Sequence, residues 1–189
     1  MIVTLTGPSG VGKTTIAQEL VHRIPNARLV KSFTTRDPRE SDAEGEYIYL
    51  SERWFRAFEY RNSFLWTTTV RGKHYGTTED AANEAIRTPA VRIMILVPSC
   101  VRRLREYTQQ KHQGLVFSFF IVARLDTALR RIRKERHLSR KEVAREEKRY
   151  EELLSCVQDH RFIPIENTGK LERAVGHIEK GLPLDILVP

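Results

Sequence analysis

Gly7-Pro8-Ser9-Gly10-Val11-Gly12-Lys13-Thr14 decides the reading of this chain. The octapeptide fits G-x-x-x-x-G-K-[ST] in full. Its surroundings fit as well: an apolar, β-prone run over 2–5 precedes it, and a helical pattern over 13–24 follows it. Glycines let a backbone wrap round a phosphate with successive N–H groups pointing inward, ahead of a helix N-terminus. Lys13 offers a point charge to the β- and γ-phosphates and Thr14 a hydroxyl to Mg²⁺, with Thr15 continuing the turn. The expected ligand of residues 7–15 is a nucleoside triphosphate, ATP with Mg²⁺. Many protein classes share the motif, so it identifies a phosphate donor without naming the reaction.

Outward from the loop, strand and helix patterns alternate. Extended segments are expected over 29–33, 47–50, 64–70, 91–97, 115–122 and 162–165. Helices are expected over 51–61, 78–87, 99–113, 126–136, 139–157 and 171–180. Ser51 is placed to cap its helix, with Trp54, Phe55 and Phe58 expected on one face. Ser139 with Glu142 forms a capping box, and Arg71-Gly72 is expected to be a turn. The continuous apolar run over 91–97 is typical of a central parallel strand. This alternation predicts an α/β fold, a parallel sheet covered by helices on both faces.

The 189 residues suffice for one domain with a real core. No apolar run reaches membrane-spanning length and the N-terminus does not have the pattern of a signal peptide, so a cytoplasmic protein without a membrane partner is expected. Cys100 and Cys156 stand far apart and away from metal-ligand spacing, which fits two reduced thiols. The formal net charge is +8, and residues 130–149 hold ten basic against four acidic side chains. Such a block is either a solvated helix face or an element that grips phosphate.

A second informative segment is Ser32-Phe33-Thr34-Thr35-Arg36-Asp37-Pro38-Arg39, followed by Gly45-Glu46-Tyr47. Two arginines three apart on an irregular loop can converge on one phosphate, because guanidinium groups hold phosphate bidentately and never lose their charge. Tyr47 could donate its phenol to the same phosphate. A third segment, residues 64–77, ends in Gly72-Lys73-His74-Tyr75-Gly76-Thr77.

Taken together these segments resemble the guanylate kinase family. The phosphate loop is similar to that family's GPSGVGK, residues 32–39 to its S-x-T-T-R-x-P-R, and Tyr75-Gly76-Thr77 to its Y-G-[ST]. The basic helix over 126–136 resembles the start of the family's lid, and residues 162–167 its final strand. The likeness runs through nearly the whole chain in the family's order. It implies a P-loop NTPase fold with a core (1–31, 89–125 and 158–189), an acceptor-binding part (about 32–88) and a helical lid (about 126–157). It also implies that Arg36, Arg39, Tyr47 and Tyr75 bind the acceptor's phosphate, that Ser32 and Thr77 sit near its base, and that Lys13 neutralises the transferring group. Lid arginines would close over the donor, Arg136 as the best match, with Arg133 and Arg145 beside it. Expected partners are nucleotides, on a monomer or homodimer, with nucleic acid less favoured.

Two acidic positions of the family are absent here. The glutamate nine residues before the tyrosine of Y-G-[ST] is replaced by Trp66, and residues 92–98 carry no carboxylate. Each unpaired guanine donor costs about 1–3 kcal/mol, so two such losses make discrimination for guanine roughly 30-fold to 25,000-fold poorer. Trp66 suits stacking on a base or filling a smaller pocket, and it equally suits a plain core position. Asp37 and Glu40 are candidates for a carboxylate near the metal. Besides transfer to GMP, dGMP or another nucleoside monophosphate, two readings are open. One is a kinase of the same frame acting on a ribose bisphosphate or on a nucleotide within nucleic acid. The other is a non-catalytic interaction module, against which the intact Gly12, Lys13 and Thr14 argue.

Overall fold

The computed structural model describes residues 1–111, 113–135, 137–159 and 161–183. Strand β1 (Ile2–Thr6) is buried along its whole length and leads through the glycine-rich loop into helix α1 (Lys13–Arg23). The chain continues through β2 (Arg28–Leu29), β3 (Ser32–Thr34), β4 (Tyr47–Tyr49), α2 (Glu52–Tyr60), β5 (Phe64–Val70), β6 (Lys73–Thr78) and α3 (Glu79–Arg87). It then forms β7 (Arg92–Ile95), α4 (Pro98–Gln110), β8 (Val116–Val122), α5 (Leu125–Glu135), α6 (Arg140–Leu154), β9 (Ile163–Glu166) and α7 (Leu171–Lys180).

Five strands in the order β2-β7-β1-β8-β9 make one sheet, and every pairing in it is parallel. Its two faces are both covered, as the near-continuous apolar character of β1 and β8 requires. On one face Ile16, Ala17 and Leu20 of α1 pack with Ala174, Val175 and Ile178 of α7. On the other, Cys100, Val101 and Leu104 of α4 pack with Ala85, Ile86, Met94 and Phe120. The expected α/β class, a parallel sheet flanked by helices, is the architecture the chain adopts.

A second sheet, ordered β4-β3-β6-β5, combines one parallel pair with antiparallel β3–β6 and β5–β6. Here the structure departs from the single strand expected over 29–33. The chain leaves the core sheet after Leu29 and joins the second sheet at Ser32, so Val30 and Lys31 are a crossing between two sheets. Trp66, on β5, is buried in the cluster that holds Leu96 and Cys100, and this contact ties the second sheet to the core.

Helix starts follow their caps. Ser139 Oγ accepts from the Glu142 amide at 3.3 Å while Glu142 Oε2 accepts from the Ser139 amide at 2.9 Å. Thr78 Oγ1 accepts from the Ala81 amide at 3.2 Å. On α2 the expected aromatic face is only partly present. Phe55 is buried and Phe58 packs against Phe33 and Phe64, but Trp54 is 59% exposed. Tyr150 anchors α6 by donating from its phenol to the Ala123 carbonyl. Among the described residues no helix is long and apolar enough to cross a membrane.

Candidate active site

The phosphate loop lies against the C-terminal end of the parallel sheet, where ligands of open α/β sheets bind. Gly7 has φ 141°, and a Cβ there would stand 2.3 Å from the Ile121 carbonyl oxygen, so the loop can pass β8 this closely only without a side chain. Gly12 has φ 92°, and its Cβ would meet Asn167 Nδ2 at 2.5 Å. That amide donates to the Val11 carbonyl at 2.8 Å, pinning the loop to the end of β9. The first hydrogen bond of α1 runs from the Ile16 amide to the Gly12 carbonyl. The amides of Lys13, Thr14 and Thr15 therefore sit at the open helix end, the geometry that takes an anion.

Lys13 folds back over the loop, its Nζ donating to the carbonyls of Gly7 at 2.9 Å and Pro8 at 2.6 Å. Burial of its ammonium brings its pKa down to about 8, partly offset by the charge of Glu46 and reinforced by that of Arg71. The side chain keeps some solvent-accessible surface while its charged tip lies deep, as a long flexible stem allows.

The loop after β3 forms the facing wall of the same cleft, which has a volume of about 870 Å³. Arg36, Arg39, Tyr47, Tyr75, Ser32, Thr77 and Trp66 all line it together with residues 7–10 and Lys13, Thr14 and Thr15. Arg36 is 8% exposed and pairs fork to fork with Asp42: Nη1 to Oδ2 at 2.9 Å and Nη2 to Oδ1 at 2.7 Å. Asp42 also accepts from the Arg39 amide at 2.8 Å and the Tyr49 phenol at 2.6 Å. Burial opposes its ionisation, but the hydrogen bonds of Arg36, Tyr49 and the Arg39 amide outweigh it and hold its carboxyl below the usual range. The Arg36 guanidinium lies 4.9 Å from the Tyr47 ring centroid, and the Tyr47 and Tyr75 rings are 6.0 Å apart. Ser32 Oγ and Thr77 Oγ1 are 3.2 Å apart. Burial raises the pKa of Glu46, against the hydrogen bonds of Tyr47 and the Ala43 amide.

Asp42 escaped the sequence reading, which singled out Asp37 and Glu40. Asp37 lines the cleft, whereas Glu40 is exposed on the loop outside the lining. The end of β7 and the residues after it present Ile95, Leu96 and Val97 to the cleft, so the wall without carboxylates is apolar in space as well as in sequence.

The basic helices α5 and α6 differ from expectation in which of their cations line the cleft. Arg133 and Arg145 are exposed and lie outside the cleft lining, while Arg131, Lys134 and Arg149 line it. Arg136 lies outside the described residues. A further cation comes from the β5–β6 turn: Arg71 donates from Nη2 to Ser9 Oγ at 2.7 Å and also pairs with Glu146 of α6. The sequence marks Arg71 only as a turn residue.

Among the described residues no group of three or more His, Cys, Asp or Glu side chains is placed to hold a metal. The Thr14 hydroxyl at the loop suits a cation that keeps its waters and arrives on phosphate oxygens, as Mg²⁺ does, and does not suit one needing an all-protein cage.

The guanylate kinase family model matches residues 1–183. The guanylate kinase of Carboxydothermus hydrogenoformans is 30% identical over 193 residues, covering 100% of this chain and 90% of that protein. The guanylate kinase of Prochlorococcus marinus is 42% identical over 86 residues, covering 45% of this chain and 47% of that protein. With the first of its curated relatives the chain thus matches about half of their length. Among solved structures, guanylate kinase from Anaplasma phagocytophilum superposes with a TM-score of 0.68 at 20% identity, over 100% of this chain and 87% of that one. A sugar kinase from Janibacter gives 0.53 at 13% identity, over 100% and 98%. At these identities the structures speak for the fold, an α/β P-loop fold. The family model's span and the full-length relative settle membership: this chain belongs to the guanylate kinase family.

Proposed function

We propose that this protein transfers the γ-phosphoryl group of ATP to the phosphate of a nucleoside monophosphate, with GMP as the reference acceptor. The observation that carries this reading is the shared cleft: Lys13 and the phosphate loop form one wall, and Arg36, Arg39, Tyr47 and Tyr75 the other. In this reading residues 32–88 bind the acceptor, 126–157 form the lid, and the remainder is the core.

The chemistry follows from positioning and charge. Loop amides and Lys13 hold the donor's phosphates, while Arg36 and Arg39 hold the acceptor's. Phosphoryl transfer asks for alignment and charge neutralisation rather than for a covalent intermediate. Lys13 enters with its ammonium disfavoured by burial, so an arriving polyphosphate relieves that cost and fixes its proton. Mg²⁺, held through Thr14 and the donor's own oxygens, would add neutralising charge at the phosphates.

Base recognition is the part in which this chain departs from its family. Trp66, Leu96 and Val97 offer apolar surface where guanine's donors call for carboxylates. The expectation is GMP turnover with shallow discrimination against other bases. Membership of the family does not favour a ribose bisphosphate, a nucleic-acid acceptor or a non-catalytic module. A panel of nucleoside and deoxynucleoside monophosphates, with ribose bisphosphate included, assayed for ADP release from ATP tests this. GMP among the accepted nucleotides supports the reading; turnover confined to ribose bisphosphate contradicts it.

A further inference from the structure

We propose that Arg71 is a catalytic residue, a cation that engages the transferring phosphoryl group, and that Glu146 positions it. The inference deepens the donor reading above and rests on it.

Arg71 belongs by sequence to the second sheet but reaches the donor loop. It occupies the two-residue turn joining β5 to β6, with φ 54° followed by Gly72 at φ 73°. Positive φ at both turn positions gives the tight hairpin that asparagine and glycine adopt most easily. An arginine held there projects from the hairpin tip, and its Nη2 stands 2.7 Å from Ser9 Oγ. Lys13, whose ammonium rests on the Gly7 and Pro8 carbonyls, occupies the same end of the loop.

The guanidinium is held from the lid side by Glu146, which is 7% exposed on α6. Arg149, one turn further along α6, stands 3.6 Å from the other oxygen of the same carboxylate. One nearly buried carboxylate thus contacts two guanidinium groups. The Nε of Arg71 is buried and has no hydrogen-bond partner among the described residues. A buried charged donor of this kind calls for an acceptor oxygen, and a phosphate oxygen at the loop end supplies one. Bonds from Nη2 to the donor loop and to Glu146 hold the guanidinium in place while its Nε stays unpaired, the arrangement expected of a preorganised charge rather than of a closed ion pair.

In the reaction, a bond forms from an acceptor phosphate oxygen to the γ-phosphorus. The bond from that phosphorus to the β–γ bridging oxygen breaks, and ADP departs with the electron pair. Arg71 stays protonated throughout and stabilises charge on the moving group. Because it comes from the acceptor sheet, touches the donor loop and is braced by the lid, it delivers charge where all three parts meet.

The test uses the full chain with Mg²⁺ and the variants Arg71→Met, Arg71→Lys and Glu146→Gln. Affinities for ADP and for a non-hydrolysable ATP analogue are measured by calorimetry, alongside kcat with ATP and GMP and the melting temperature. In Arg71→Met, kcat is expected to fall about 100-fold or more, the range seen when one preorganised donor is removed. Affinity for the ATP analogue should fall about tenfold while affinity for ADP stays within twofold. Arg71→Lys should regain part of both, and Glu146→Gln should lower kcat less than Arg71→Met does. Equal losses for ADP and the analogue, or kcat within twofold of wild type, would overturn the proposal and mark Arg71 as a structural clasp. Should Arg71→Met fail to fold, the ratio of the two affinities in Arg71→Lys decides: a ratio equal to that of wild type with unaltered kcat overturns the proposal. If the wild-type protein binds neither nucleotide, the donor reading itself falls and this inference with it.

Discussion

Arg36 and Asp42 meet as a bidentate pair, 2.7 and 2.9 Å apart, with both side chains largely withdrawn from solvent at 8% and 13% exposure. The pair fixes the plane of the Arg36 guanidinium beside the Tyr47 ring and folds the loop over 36–42 onto itself. Burial opposes the charge on Arg36, yet the hydrogen bonds and charge of Asp42 raise its pKa above the ordinary arginine value. In the proposed reading this wall holds the acceptor and is built before it arrives, which is the condition for tight positioning.

Replacing Asp42 by Asn keeps the shape and removes the charge. The expected loss is about 1.5–3 kcal/mol in kcat/KM for the acceptor, the range for a hydrogen bond to a charged group. The KM for ATP should stay within twofold. Steady-state kinetics with each substrate varied in turn measures both. Because the carboxyl of Asp42 titrates below its unfolded value, its contribution is complete above the unfolded pKa and disappears as pH falls through the folded one. In wild type, acceptor binding should therefore hold through neutral pH and weaken only in acid.

Arg39 is exposed and lines the cleft from the loop's outer edge. Its charge is shared with water, so Arg39→Ala should cost less than a buried contact: about 1.5 kcal/mol, roughly tenfold in acceptor KM. An acceptor KM that does not move would remove Arg39 from the acceptor site.

Lys13→Met should lower turnover at least about 100-fold while leaving the melting temperature equal or higher. The second half follows from burial: the free protein carries an ammonium that its surroundings disfavour. Wild type should also take up a proton on binding ATP above about pH 8, because the free amine loses its proton there and the polyphosphate restores it. ATP affinity should accordingly decline as pH rises past about 8. Calorimetry in buffers of different ionisation enthalpy reads this uptake, which should vanish in Lys13→Met.

Trp66→Glu places a carboxylate at the wall shared by Leu96 and Cys100. If that wall faces the base, kcat/KM for GMP relative to AMP should rise about tenfold or more. Stability should fall by about 3 kcal/mol from the lost indole packing. A ratio that stays put in a folded variant would separate Trp66 from base recognition.

Contiguous chemistry was legible in the sequence. The phosphate loop announces itself because its glycines, lysine and threonine serve one turn and one helix end. Arg36 and Arg39 were readable because they share one loop that leads into Tyr47 at the start of β4. What escaped was chemistry assembled across distance. Arg71 and Glu146 lie 75 residues apart, and Asn167 bonds to Val11 across 156 residues of chain. The lid showed a different limit. At 3.6 residues per turn, Arg133 points about 200° away from Arg131, so a basic helix cannot have all its arginines in the cleft. Among the described residues the inward set is Arg131, Lys134 and Arg149, and the tether of Tyr150 to Ala123 selects the face of α6 that carries Glu146. The division of residues 29–33 between two sheets was hidden for the same reason, since a short apolar run carries no mark of which sheet it joins.

The most direct measurement is phosphorus NMR of wild-type protein with Mg²⁺, ATP and GMP, following all phosphate resonances to equilibrium. Resonances of GDP and ADP growing in equal amounts, without inorganic phosphate, are the expected result. Release of inorganic phosphate without GDP, or an unchanged spectrum, would contradict a transfer between the two walls of this cleft.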